Sequence, residues 1–132
     1  MRHGVLITDD QADIRKLVRM TLDMADVEVY EADNAASALD LIYRICPKVV
    51  LMDIMMPGEM DGLDACRQIK ADADLARTVV IMLTARGQQA DLDAGKSAGA
   101  DAYLVKPFSP LELLDMVSRY VSDVSISTQD TK

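Results

Sequence analysis

Positive charge is scarce in this chain of 132 residues: 14 lysines and arginines stand against 22 aspartates and glutamates, a formal net charge of −8. That deficit argues against direct nucleic-acid binding and against attraction to an anionic membrane, both of which call for cationic surfaces. Cysteine is nearly absent. Cys46 and Cys66 share no close spacing and have only His3 as a possible companion, so neither a zinc site nor a disulfide framework is suggested, and reduced core thiols are expected. No apolar run is long enough to span a membrane, and the segment after Met1-Arg2-His3-Gly4 is too short for the apolar stretch of a signal peptide. A cytoplasmic protein is expected. Glycine is missing where nucleotide folds need it: the turn after the first apolar run reads Thr8-Asp9-Asp10-Gln11. Neither Gly-x-Gly-x-x-Gly nor Gly-x-x-x-x-Gly-Lys-Ser/Thr occurs, which removes a dinucleotide site and a P-loop. The aspartates there repel anions and collect cations.

What is present is a core. Half of the residues are hydrophobic, enough for one folded domain. Lys48-Val49-Val50-Leu51-Met52-Asp53 is the organising stretch, an apolar run with two adjacent valines that predicts a strand buried on both faces. Gly4–Thr8, Thr78–Leu83 and Ala102–Val105 read the same way, while Val27–Glu31 alternates with period two and fits a half-exposed strand near a sheet edge. Between them lie helical patterns. Ile14, Leu17, Val18, Thr21 and Leu22 share one face, with Asp10 placed to start that helix. Asp33 or Asn34 caps a second helix, which Pro47 stops. Leu63, Cys66 and Ile69 mark a third. Gln88 to Ala98 predicts a weak fourth helix with Gly95 inside it, at a cost of about 1 kcal/mol relative to Ala. Ser109-Pro110-Leu111-Glu112 has the form of a capping box opening a fifth. A domain over residues 1–121 and a polar, frayed tail over 122–132 are expected. Five strands alternating with five helices argue for an α/β fold, a parallel sheet covered on both faces.

Parallel strands bring their carboxyl ends to one edge. Collected there are Asp9, Asp10, Asp53, Thr84 and Lys106. Each has a plainer role in isolation: an aspartate can cap a turn, a lysine can snorkel, a threonine can close a strand end. Those roles do not predict the coincidence of all five. Clustered carboxylates repel until they protonate or bind a cation, and hard oxygen ligands in a half-open site suit Mg²⁺. A metal-neutralised Asp53 can attack a phosphoryl group, with Lys106 and Thr84 as donors to its oxygens.

The chain resembles a response-regulator receiver domain, the CheY-like family of two-component signalling, over about residues 3 to 121. The resemblance rests on Asp9-Asp10, on Leu51-Met52-Asp53 followed by Pro57, on Leu83-Thr84-Ala85, and on Tyr103 through Lys106-Pro107-Phe108. It implies a flavodoxin-like (βα)5 fold, doubly wound with strand order 2-1-3-4-5. It implies that Asp53 takes a phosphoryl group from a sensor histidine kinase or histidine phosphotransfer protein. Mg²⁺ would be bound directly by Asp10, through water by Asp9, and by Asp53 and the backbone carbonyl of Met55. Lys106 and Thr84 would contact the phosphoryl group, and the Lys106-Pro107 bond would be cis. Tyr103 would swap rotamers and alter the face of the fourth helix, fifth strand and fifth helix, which docks a downstream effector. Two departures stand out. Gly58-Glu59-Met60 lengthens the loop after Pro57 by one residue, and Met55 and Arg86 occupy the positions that tune hydrolysis of the acyl phosphate. Met55 has no group to orient an attacking water, so a persistent phosphorylated state is expected. A stand-alone receiver is favoured over one cut from a longer chain. A phosphohydrolase of the haloacid dehalogenase kind would want an aspartate at position 55, and a pseudo-receiver would lack part of the set.

Overall fold

The computed structural model describes residues 3–85 and 89–130, with side chains described as far as 121. The organising strand is β3 (Val49–Asp53), buried at all five positions. Beside it lie β1 (His3–Thr8) and β4 (Val79–Ala85), and outside those β2 (Val27–Ala32) and β5 (Ala102–Lys106). The order is β2-β1-β3-β4-β5, every neighbouring pair parallel. Between them run α1 (Ala12–Leu22), α2 (Ala35–Ile45), α3 (Gly62–Ala71) and α4 (Gln89–Ala98), with α5 (Pro110–Asp130) after β5. This is the flavodoxin-like architecture that the alternation and the resemblance lead one to expect.

Strand side chains alternate between two cores. Leu6, Val50, Met52, Val80 and Met82 pack with Ile42 of α2, Ile69 of α3 and Ala98 of α4. Val5, Ile7, Leu51, Ile81, Leu83 and Leu104 face the other way, against Val18 and Leu22 of α1 and Leu113 and Val117 of α5. A strand buried on both faces therefore needs apolar residues at every position, which is why β3 reads as an unbroken run.

Local chemistry sets the element ends. Asn34 caps α2, its side chain accepting from the Ser37 N–H at 2.9 Å. Ser109 and Glu112 form the expected reciprocal box, each backbone N–H donating to the other's side chain at 3.1 Å. Gly99 closes α4 at φ 96°, a value that suits glycine. Three readings need correction. Asp10 does not cap α1: its N-cap is Gln11, without a side-chain cap, and the carboxylate that accepts the Gln11 N–H is that of Asp9, at 2.9 Å. Cys46 is exposed, ending α2 in the left-handed conformation at φ 47°, so only Cys66 is a core thiol. The strand read as 78–83 runs from Val79 to Ala85 because its pairing with β5 continues to Ala85 beside Lys106. The backbone of α5 is helical to Asp130. A capping box of Asp61 and Asp64 opens α3, with a second aspartate where the usual pattern has Glu or Gln.

Candidate functional site

The register builds the site. Thr8 lies beside Met52, so Asp9, the next residue, emerges alongside Asp53 at the end of β3, while β5 ends on Lys106 beside Ala85 of β4. Asp9, Asp10 and Asp53 each offer a carboxylate oxygen, and those oxygens lie within 4.8 Å of one another. Asp9 is fully buried. Its Oδ2 accepts from Lys106 Nζ at 2.7 Å, its Oδ1 from the Gln11 N–H, and its backbone carbonyl from Arg15 Nη1 at 2.8 Å. Arg15 and Arg19 are held in turn by Glu31 of β2, at 3.1 and 2.6 Å. Lys106 Nζ also stands 3.4 Å from Asp53 Oδ1.

Asp53 is only 7% exposed. Burial, then the charge of Asp9, pushes its carboxyl from 3.8 up to about 6, against the pull of Lys106 and the Met55 N–H. Asp53, Asp10 and Lys106 line a cavity of about 330 Å³ together with Gln11, Met55, Leu83, Ala85 and Asp91. Gly62 backs onto this edge: a Cβ there would run into the carbonyl oxygen of Asp53. Thr84 is buried, and its hydroxyl has no partner among the described residues.

Tyr103 sits half-buried on β5 with its hydroxyl buried and unpartnered. Burial raises its pKa, with smaller contributions from Cys66 and Asp93. Its ring rests against Gly95 of α4, where an ideal Cβ would be 2.9 Å from Tyr103 Cε1. Thr8, Thr84 and Tyr103 thus carry buried hydroxyls without hydrogen bonds among the described residues, a costly arrangement where it persists.

A carboxylate edge with a lysine beneath it fits a divalent cation and a phosphoryl group, and the match to known proteins decides the family. The response regulator receiver domain model covers residues 5–118. The chain belongs to that family. It is 47% identical over 112 residues to a probable transcriptional regulator ycf27 of Guillardia theta, covering 85% of this chain and 42% of that protein. It is 42% identical over 110 residues to the transcriptional regulatory protein ResD of Bacillus subtilis, covering 83% of this chain and 44% of ResD. A putative response regulator from Chloroflexus aurantiacus superposes with a TM-score of 0.87 at 33% identity, over 92% of this chain and 99% of the other. The chemotaxis response regulator CheY4 of Vibrio cholerae gives 0.83 at 32% identity, over 91% and 99%.

This receiver spans less than half the length of the two curated relatives. Both are named transcriptional regulators, so the expectation from charge of no direct nucleic-acid binding does not extend to a longer protein. Of the residues expected from the strand ends, Asp9, Asp10, Asp53 and Lys106 come together, while Thr84 is buried near the end of β4 and is not among the described residues lining the cavity. The cis Lys106-Pro107 bond is present. Lys106 is engaged chiefly by Asp9, an arrangement the resemblance did not imply. Arg86 lies outside the described residues. Three contributors escape the strand-end reading: Gln11 and Asp91 in the cavity wall, and Arg15 on the Asp9 carbonyl. Asp91 carried a faint signal, because a helix after a parallel strand begins at the strand's carboxyl edge. Arg15 carried none, being one of several charges on the outer side of α1.

Proposed function

We propose that Asp53 accepts a phosphoryl group from a phosphohistidine on a sensor histidine kinase or histidine phosphotransfer protein. The observation that carries this reading is the buried Asp53 carboxylate, clustered with Asp9 and Asp10 and 3.4 Å from Lys106. The donor set is all oxygen and half-open, which fits Mg²⁺. Asp10, Asp53 and the backbone carbonyl of Met55 would hold it, with Asp9, already bonded to Lys106 and Gln11, standing behind. Bound there, Mg²⁺ supplies positive charge against the carboxylates and the phosphoryl oxygens.

The chain's own groups do the rest. Asp53 is ionised at neutral pH, and a carboxylate oxygen attacks phosphorus. Lys106 presents N–H donors at the place where phosphoryl charge arrives. Thr84 brings a hydroxyl with no partner among the described residues, which a phosphoryl oxygen satisfies. Its displacement opens room for Tyr103 to change rotamer, and the face built from α4, β5 and α5 changes with it to control an effector protein. The domain turns over no external substrate; it catalyses only its own phosphorylation and dephosphorylation. Met55, where a phosphohydrolase would want an aspartate, supports that limit. The receiver unit is 1–121, with 122–132 as a tail beyond the apolar stripe, and it works in the cytoplasm, where such kinases present their phosphohistidine. No helix among the described residues is long and apolar enough to cross a membrane. Intact mass after incubation with a small phosphodonor and Mg²⁺ tests the reading: one phosphoryl adduct is expected on the wild type and none on Asp53→Asn. An unchanged adduct in the variant overturns it, and repeated turnover of a phosphate ester would favour the hydrolase.

A further inference from the structure

Asp91 has no part in the chemistry above, yet its side chain lines the same cavity as Asp53 and Lys106. It comes from the first turn of α4, where a carboxylate complements the helix dipole. That would explain an aspartate facing solvent. This one is half-buried, and no hydrogen bond or ion pair holds it among the described residues. The cavity wall so described carries three carboxylates, Asp10, Asp53 and Asp91, against one ammonium, and Lys106 is already paired to Asp9. A donor entering this cavity meets negative charge on the α4 side that no neighbouring side chain among the described residues offsets.

We propose that Asp91 selects the phosphodonor, disfavouring free anionic acyl phosphates and favouring a donor whose leaving group is an imidazole. The inference rests on Asp53 as the acceptor. Once protonated, the ring nitrogen of a phosphoimidazole away from phosphorus carries an N–H. A carboxylate accepts a hydrogen bond from it and keeps it protonated. An Asp53 oxygen then forms the new P–O bond as the P–N bond breaks. The electron pair of that bond stays on the departing nitrogen, and the proton stays on the far one, so imidazole leaves neutral. An acyl phosphate offers no such donor and brings only anionic oxygens past the same carboxylate.

The experiment measures adduct formation on Asp53 by intact mass, in Mg²⁺, with acetyl phosphate and with N-phosphoimidazole. Removing one charge from a partly solvated site changes each rate by about threefold. Asp91→Asn should therefore speed the acetyl phosphate reaction and slow the phosphoimidazole reaction, moving their ratio about tenfold. Asp91→Ser, a second neutral side chain that a first helical turn accepts, should move the ratio the same way, and Asp91→Glu should restore it. Rates that fall together with both donors, or a ratio unchanged in both neutral variants, overturn the proposal while leaving Asp53 as acceptor. A wild type that forms no adduct with either donor sinks the acceptor reading and the selectivity with it.

Discussion

Replacing Asp53 by asparagine removes the proposed phosphoacceptor, and in the absence of Mg²⁺ it should also make the protein more stable. Asp53 is 7% exposed, and burial together with Asp9 lifts its pKa from 3.8 to about 6. The raised value means that the folded state favours the protonated form, so ionisation at neutral pH works against folding. The difference corresponds to about 3 kcal/mol at pH 8, at about 1.4 kcal/mol for each pH unit. Asparagine is neutral and nearly the same shape, so it should recover about 2 to 3 kcal/mol in urea denaturation at pH 8 with chelator present. The sign sets the pH window. Stability from the protonated carboxyl is fully present below the unfolded value and lost as pH rises through the folded one. The advantage of Asp53→Asn should therefore shrink to about half by pH 5 and nearly vanish by pH 4. Mg²⁺ should narrow it from the other side by stabilising the wild type more than the variant. Equal stabilities at pH 8, or an advantage that grows on acidification, would refute the electrostatic account of the site.

Lys106→Met leaves Asp9 buried without its cation and should cost about 2 to 4 kcal/mol at neutral pH; urea denaturation checks this. Gly95→Ala should add about 0.5 to 1 kcal/mol of helix propensity to α4 while its Cβ displaces the Tyr103 ring; ultraviolet titration, compared with Tyr103→Phe, should show one phenol returning toward the ordinary range. Met55→Asn introduces an amide able to orient water and should shorten the phosphoryl lifetime severalfold, read by radiolabel loss from Asp53. Leu51→Ala, at the centre of β3, should cost about 2 to 5 kcal/mol in thermal or urea unfolding, with the cavity unfilled by its neighbours.

The strand ends were legible because a parallel sheet turns sequence position into spatial position. Asp9, Asp53 and Lys106 lie far apart in the chain, yet each ends an apolar run, and runs of that kind share one edge. Electrostatic pairing was not legible in the same way. Nothing in the sequence says that Lys106 reaches Asp9 more closely than Asp53, because that depends on side-chain reach across β1, β3 and β5. The thiols divided as they did because Cys66 lies on the α3 face turned toward the sheet, whereas Cys46 occupies a left-handed turn that no periodic pattern announces.

Strand β5 has one neighbour, and its side chains alternate between unlike surroundings. Tyr103 leans on α4, Leu104 is locked between the sheet and the α1–α5 layer, and Val105 is 40% exposed. The border strand can therefore act as a rigid rail. An aromatic ring can swing at its outer margin while Leu104, one residue on, anchors the backbone. On the proposed Tyr103 switch, the message from the acidic edge travels as a side-chain rotation, without any ladder of the sheet having to part.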